Sequence, residues 1–304
     1  MGKKSKDFDV EKFCENRDHL RTISRWSITE EELLNAYEAG VRDFNFVSIN
    51  SCNFSKKILN GIQLKSAYIE NCDFTNSQLN ESNFSGANIT KSNFSVAYLS
   101  ESDFNSVAMD SCLLTGCKME YVKAVRSFFS ECIFISAKLD GSDFSCATFY
   151  RINLDSSSCR NTNFQEADFN MCNFISAFLH KTSFLMAHLE NVVFLKALIC
   201  FVNFLDAPGL YSVFSMSLSS RKDNLYGSIS IVNNKLALRF WAGCKTNLTE
   251  AELIEFIETR HQPDSINAIQ YKTALKTIKS MFKNDVAAGT WDYHLTKYNV
   301  RYVE

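Results

Sequence analysis

The sequence is short of the features that mark membrane, secreted and nucleic-acid-binding proteins. Its 304 residues include only 2 prolines and 10 glycines. The net charge of −2 predicts neither a strongly basic nucleic-acid-binding surface nor an acidic tail. No apolar run is long enough for a transmembrane helix or a signal peptide. We therefore expect a cytoplasmic protein with no membrane partner and no direct contact with nucleic acid.

Catalytic and metal-binding motifs are missing as well. The 11 cysteines include no CxxC pair, and no HExxH, GxSxG or glycine-rich phosphate loop occurs. Of the five histidines, only His180 and His188 lie in one region of the chain. We predict that the protein is not an enzyme and that it uses no cofactor and no metal ion.

The sequence is dominated by a five-residue repeat between Arg42 and Asp206. Its centres are the residues whose numbers end in 4 or 9, and from 44 to 204 there are 33 of them. All are large and apolar except Ala124 and Cys159. Centres with numbers ending in 4 are Phe in 13 of 17 cases, whereas those ending in 9 are mostly Leu or Ile. The repeat thus accounts for most of the 26 phenylalanines.

A period of five matches neither an α-helix nor a flat β-strand. It matches a chain that turns a corner every five residues, so that four corners close a square coil of about 20 residues. Neighbouring coils then pair through their backbones at about 4.8 Å. We predict a mainly β protein built on a quadrilateral parallel β-helix of about eight coils, with phenylalanine columns on two opposite faces.

The residue two before each centre is small and is predicted to point inward with it. Six cysteines occupy this position, where a small and weakly polar buried group packs well. We interpret them as packing residues rather than as metal ligands or disulfide partners: Cys52, Cys72, Cys112, Cys117, Cys132 and Cys172.

Segments with helix and hairpin signals flank the repeat. Thr29 and Glu32 form a capping box for a helix over 28–40, and a second helix is predicted within 8–22. After the repeat, a hairpin is predicted over 226–241, followed by two helices. The expected domains are a helical cap (1–41), a β-helix (42–207), a linker (208–224) and a small α+β domain (225–304).

Segments such as SNFSGANIT (82–90) and ADFNMCNFISAFL (167–179) resemble the pentapeptide repeat family. The resemblance implies a right-handed quadrilateral β-helix. It also implies a protein-binding role, because some members, the quinolone-resistance proteins, are similar to a DNA duplex in size, shape and charge and engage DNA gyrase. The stretch KLALRFWAGCKTNLTEAELIEF resembles a C-terminal module of phage and prophage β-helix proteins, which implies a phage-encoded protein acting inside a bacterial host.

An acidic corner is the first candidate binding surface. Stacking at about 20 residues places acidic side chains above one another, where they can imitate phosphates and attract a basic DNA-binding groove. The alternative is a solvated corner balanced by Lys118, Lys123 and Lys138. The candidate residues are Glu81, Glu101, Asp103, Glu120, Asp140 and Asp143.

The last coils form the second candidate surface, because their outward positions are apolar while earlier coils are expected to be polar there. These residues pack under the C-terminal segment or form an oligomer interface: Phe178, Leu185, Val193, Leu195, Leu198, Phe201 and Leu205. Two functions follow. The first is a non-catalytic protein that inhibits or shields a host nucleic-acid-processing or anti-phage defence enzyme, with DNA mimicry as one means of binding. The second is an assembly component that oligomerises through the last coils and the C-terminal domain.

Overall fold

The computed structural model describes most of the chain as far as residue 190 and parts of the remainder. The described residues are 8–23, 26–190, 192–194, 197–200, 202, 213–217, 224–232, 235–242, 245–260, 268–269, 272–273, 275–276, 279–280 and 301–302.

Two helices precede the repeat and cover its first coil. Helix α1 spans Val10–Ile23 and α2 spans Glu30–Glu38. The predicted capping box is confirmed, since the Glu32 N–H donates to Thr29 Oγ1 at 3.3 Å and the Thr29 N–H donates to Glu32 Oε2 at 2.9 Å. Trp26 stacks on Phe44 with 6.5 Å between ring centroids. The apolar end of the repeat is therefore closed by aromatic packing.

The parallel β-helix predicted from the five-residue period is confirmed. One face is an eight-stranded parallel sheet in which each residue pairs with the residue 20 positions further on. Ile49 and Leu189, at the two ends of this sheet, are seven such steps apart. Its strands are β1 (Ser48–Asn50), β2 (Tyr68–Glu70), β3 (Asn88–Thr90), β4 (Ala108–Asp110), β5 (Phe128–Ser130), β6 (Thr148–Tyr150), β7 (Asp168–Asn170) and β9 (His188–Glu190).

The other three faces are joined by bridges of the same 20-residue register. On the face opposite the eight-stranded sheet, two further strands form, β8 (Phe178–His180) and β10 (Leu198–Cys200), and they pair in parallel. We name each face by its centres. The four are the Ile49 face, the Phe54 face, the Leu59 face and the Leu64 face, in chain order around the coil.

Each corner has its backbone in the left-handed region. Every fifth residue from Phe46 to Met186 has a positive φ, and only four of these are glycine. A non-glycine residue in this region costs roughly 1 kcal/mol. The cost is offset because the corner N–H bonds to the next coil, as when the Glu81 N–H donates to the Ser100 carbonyl at 3.0 Å. Four-sided coils therefore form with few glycines.

Stacked phenylalanine rings fill the interior. Phe74 lies between Phe54 and Phe94, with ring centroids 5.1 and 4.7 Å away. On the opposite face, Phe84 stacks on Phe104 at 4.8 Å. These are the two predicted columns. The structure adds a third on the Ile49 face, where Phe129, Phe149 and Phe169 follow one another at 5.2 and 4.5 Å. Mixed aliphatic and aromatic centres thus share that face.

A second, mainly antiparallel sheet follows the β-helix. Its strands are β11 (Val213–Ser217), β12 (Asn224–Val232), β13 (Lys235–Ala242), β14 (Lys245–Leu248) and β15 (Arg301–Tyr302). The predicted hairpin is confirmed by β12 and β13, which pair from Leu225 and Ala242 to Val232 and Lys235. Helix α3 spans Glu250–Arg260.

One expectation for this region is corrected. Strand β11 lies inside the segment expected to be a linker, 208–224, and pairs antiparallel with β12. Backbone hydrogen bonding to an exposed sheet edge explains why a serine-rich segment joins the sheet. The second of the two helices expected after the hairpin falls largely outside the described residues.

We expect Phe149→Ala to lower the free energy of unfolding by about 4 kcal/mol, because it opens a cavity in the middle of a ring stack. Urea denaturation measures the change. Phe128→Ala is the matched control. Phe128 precedes Phe129 on the same strand but is 45% exposed, so its removal is expected to cost less than about 1 kcal/mol. Equal losses in the two variants would contradict the stacked core.

Candidate interaction surfaces

The described residues hold no grouping of three or more histidine, cysteine, aspartate or glutamate side chains placed to bind a metal ion. His188 Nδ1 lies 3.2 Å from Asp168 Oδ1 on the Ile49 face. His180 lies in β8, on the opposite face. The two histidines that are close in sequence are therefore separated by the width of the coil. Within the described part of the chain, no helix is both long and apolar enough to cross a membrane.

A shallow cleft of about 410 Å³ lies between α2 and the first coil, lined in part by Tyr37, Arg42, Lys57 and Ile58. The Arg42 guanidinium donates to the carbonyls of Tyr37 and Val41 at 2.7 and 3.0 Å and lies over the Tyr37 ring at 3.7 Å. A cation at the end of α2 stabilises the helix dipole. Arg42 therefore has a structural role.

Glu81 and Glu101 form the exposed part of the predicted acidic corner. They lie at equivalent corners of adjacent coils, with φ of 59° and 62°. The Glu81 N–H bonds to Ser100 O, and the Glu101 N–H bonds to Glu120 O at 2.9 Å. The next corner in this row is Tyr121. Its ring lies so close to Gly141 that a Cβ atom on residue 141 would overlap it. The acidic row at the corner is thus two residues long.

Asp103 and Asp143 do not lie in adjacent coils. Lys123 bridges between them in the same row, so the charges alternate. Each aspartate also caps its own turn: Asp103 Oδ1 accepts from the Asn105 N–H at 2.9 Å, and Asp143 Oδ1 accepts from the Ser145 N–H at 3.0 Å. Their carboxylates therefore serve the fold as well as the surface charge.

Glu120 and Asp140 lie in adjacent coils on the Leu59 face and have polar partners along the stack. Glu120 Oε2 accepts from Ser100 Oγ at 3.0 Å. Asp140 Oδ1 accepts from Ser158 Oγ at 2.6 Å and from the Arg160 N–H at 2.8 Å. Of the six acidic residues predicted for the site, Glu81 and Glu101 are the most exposed to a partner.

The apolar residues predicted in the last coils are only partly described. Phe178 is half-buried, with the Arg160 guanidinium over its ring at 4.3 Å, and Leu185 is half-buried. Val193 is 41% exposed. Leu195, Phe201 and Leu205 lie outside the described residues, as does the side chain of Leu198.

Exposed apolar side chains also occur in the middle coils, where the sequence interpretation expected polar residues. That expectation is wrong. Each such residue occupies a position that faces water in the five-residue period. The period therefore predicts that the side chain points outward, but it does not predict whether that side chain is polar or apolar. They are Val96, Leu113, Tyr121 and Phe128, with Ile133 and Ile135 half-buried beside them.

The six cysteines of the inward position are all buried, as predicted. Burial raises the pKa of Cys72 from 9.0 to about 12 and does the same for Cys172. The Cys72 thiol donates to the Glu70 carbonyl at 3.3 Å, and the Cys172 thiol donates to the Phe149 carbonyl at 3.3 Å. A protonated, buried thiol is a poor nucleophile, which agrees with a packing role.

The family comparison matches the repeat. The model for pentapeptide repeats matches residues 58–95, 77–116, 112–150, 142–180 and 157–194. No curated protein matches this chain significantly.

Similar solved structures include two other repeat proteins. One is a trypsin-treated variant of QnrB1, a plasmid-mediated fluoroquinolone resistance protein. It is 16% identical, the match covers 53% of this chain and 87% of that one, and the TM-score is 0.35. The other is HetL from the cyanobacterium Nostoc sp. strain PCC 7120, involved in the regulation of heterocyst differentiation. It is 15% identical, the match covers 58% and 95%, and the TM-score is 0.19.

Stability is expected to fall at alkaline pH because the buried thiols of Cys72 and Cys172 resist ionisation. Their pKa is raised in the folded state, so the stabilisation is complete below pH 9 and is lost as the pH rises toward 12. In Cys172→Ala, we expect the slope of unfolding free energy against pH in this window to become shallower by about 1.4 kcal/mol per pH unit.

Urea denaturation at several pH values measures this slope. Cys146→Ala is the control, since Cys146 is an exposed cysteine and its replacement is expected to leave the slope as it is in the parent. A Cys172→Ala slope equal to the parent slope would show that this thiol does not carry the effect.

Proposed function

We propose, on the premise that the repeat region of this chain belongs to the pentapeptide repeat family, that the protein is a non-catalytic binding protein whose β-helix occupies a surface of another protein. The observation that carries this proposal is that inward and outward side chains of the coil have different roles. Inward side chains pack the core, while outward side chains lie in straight rows on a rigid backbone, with about 4.8 Å between successive coils.

The partner we propose is a host enzyme that processes nucleic acid, such as DNA gyrase, or an anti-phage defence nuclease. Glu81 and Glu101 support this, because two exposed carboxylates in adjacent coils offer anionic groups to a basic groove. The mimicry is local, since Lys123 interrupts the neighbouring row between Asp103 and Asp143. In this proposal the protein is phage-encoded, acts in the cytoplasm of the bacterial host and shields or inhibits the enzyme.

A second candidate function is assembly. Val193 is exposed and follows Asn173 in its row, so the last coils offer at least one apolar contact to a neighbouring subunit. The protein would then be a component of a larger structure and would form a defined homo-oligomer. Light scattering separates the two candidates, because a monomer at working concentration excludes the assembly role.

We expect Glu81→Lys/Glu101→Lys to weaken binding to a DNA-acting enzyme by about tenfold or more, because it reverses the charge offered to a basic groove. The measurement is inhibition of DNA gyrase supercoiling, with affinity for the purified enzyme measured at several salt concentrations. Binding of the parent protein is expected to compete with DNA and to weaken as salt rises.

Glu70→Lys is the matched control, since Glu70 is exposed in β2 on a different face. It is expected to leave affinity within about twofold of the parent. A parent protein that neither binds nor inhibits gyrase or any tested defence nuclease would refute the proposal. Equal losses in Glu70→Lys and the double variant would show that the corner is not the contact.

A further inference from the structure

One row of the Phe54 face carries a turn-capping pattern that breaks in the middle coils. In this row an Asn or Asp side-chain oxygen accepts a hydrogen bond from the N–H two residues further on, at 2.7–3.0 Å. Leu113 and Ile133 hold the same position in the two intervening coils, where no side-chain oxygen is present to cap the turn. The capping residues are Asn53, Asp73, Asn93, Asn153 and Asn173.

Leu113 and Ile133 form, with Val96 and Ile135, a group of outward aliphatic side chains that we call the aliphatic patch. Leu113 and Ile133 pair directly across adjacent coils. The Val96 N–H donates to the Thr115 carbonyl at 2.9 Å, and the Gly116 N–H donates to the Ile135 carbonyl at 2.8 Å, so the four residues span three successive coils. Val96 is 47% exposed and Leu113 41% exposed.

The aliphatic patch works against the stability of the coil in two ways. Where Leu113 and Ile133 replace the capping Asn or Asp, the turn loses a local hydrogen bond. Each exposed aliphatic side chain also leaves apolar surface in contact with water. A residue that breaks the local rule of its row without improving the packing indicates a contact made outside the chain.

The charges beside the aliphatic patch are arranged by row. Around the next corner, Tyr98, Lys118 and Lys138 succeed one another on the Leu59 face, and Lys118 Nζ lies 3.9 Å above the Tyr98 ring. The acidic residues of that face, Glu120 and Asp140, lie in the row farther from the patch and bond to Ser100 and Ser158. The row bordering the patch is therefore cationic.

The opposite border carries charges of both signs. Glu131 pairs with Arg151 at 3.0 Å, Asp110 Oδ2 accepts from Ser111 Oγ at 3.0 Å, and Lys91 is exposed at a corner of the same border. A partner that follows the patch thus meets aliphatic side chains in the middle, a cationic row on one side and charges of both signs on the other.

We propose that the aliphatic patch binds an amphipathic helix of a partner protein, with an aliphatic stripe on Leu113 and Ile133 and a row of carboxylates beside Lys118 and Lys138. The coil spacing of about 4.8 Å is close to the helix pitch of about 5.4 Å, so successive turns meet successive coils. A second copy of the chain fits less well, because a stable dimer buries about 800 Å² per partner and four partly exposed aliphatic residues supply much less.

The aliphatic patch lies around the corner of the Leu59 face opposite to the corner that carries Glu81 and Glu101. The inference therefore goes beyond the proposed function and is tested separately. The probe is a fluorescein-labelled, N-acetylated helical peptide of about 18 residues with leucine at i, i+3, i+4 and i+7 and glutamate along one flank. Fluorescence anisotropy measures its affinity for the full chain.

Leu113→Asn/Ile133→Asn is the informative variant, because asparagine restores the capping residue found in neighbouring coils. We expect it to weaken peptide binding by about tenfold or more while the melting temperature is unchanged or higher. Val193→Asn, the same replacement in the same row outside the patch, is the matched control and is expected to leave binding unchanged.

Lys118→Glu/Lys138→Glu provides a second test that leaves the aliphatic patch intact. We expect it to weaken binding of the glutamate-flanked peptide and to strengthen binding of a lysine-flanked version. Glu81→Lys/Glu101→Lys is expected to bind the peptide as the parent does, which separates this result from any failure of the acidic corner.

Several outcomes overturn the proposal. They are no binding of the peptide by the parent protein, equal losses in Val193→Asn and Leu113→Asn/Ile133→Asn, and a melting temperature that falls in the latter while peptide affinity stays the same. A dimer in light scattering that Leu113→Asn/Ile133→Asn dissociates would assign the patch to a second copy of the chain instead.

Discussion

The hydrogen bond from each corner N–H to the carbonyl of the next coil is the interaction on which the structure depends. Every fifth residue from Phe46 to Met186 adopts the left-handed backbone conformation, which is unfavourable for nearly all of them in isolation. This conformation is stabilised because the corner N–H then points along the stack and donates to a carbonyl of the next coil, as at Glu81 and Glu101. A coil is therefore stable only beside another coil, and the domain is cooperative along its length.

This arrangement separates the residues that fold the protein from those that can serve a function. Phe74, Phe149 and Cys172 are buried in the interior of the coil, so their side chains serve packing and carry little functional information. Outward side chains lie in rows, and neighbours within a row are one coil apart. Folding does not require a row to change from polar to apolar or from one charge to the other, so such a change is a local exception. We therefore place the proposed binding surfaces where a row changes character.

Two such regions lie in the middle coils that the structure describes. The acidic corner is short, because Tyr121 follows Glu101 in one row and Lys123 separates Asp103 from Asp143 in the next. The aliphatic patch around Leu113 is bordered by Lys118 and Lys138. Acidic and basic rows share the Leu59 face, which explains how a chain of net charge −2 presents local fields of opposite sign.

The sequence by itself determined the coil. A period of five with a large apolar centre and a small residue two before it predicts corners, inward columns, stacked phenylalanines and buried cysteines, because each follows from a local pattern repeated along the chain. The helix that begins after Thr29 and the hairpin of β12 and β13 could likewise be predicted, because each depends on a short stretch of sequence. Only the tertiary structure decided how the outward residues combine. Partners there lie 20 residues apart, and whether a carboxylate is free for a partner or used as a cap depends on its rotamer and its neighbours. The tertiary structure alone determined three features. They are the hydrogen bonds made by Asp103 and Asp140, the pairing of β11 with the second sheet, and the aliphatic patch at Leu113 and Ile133.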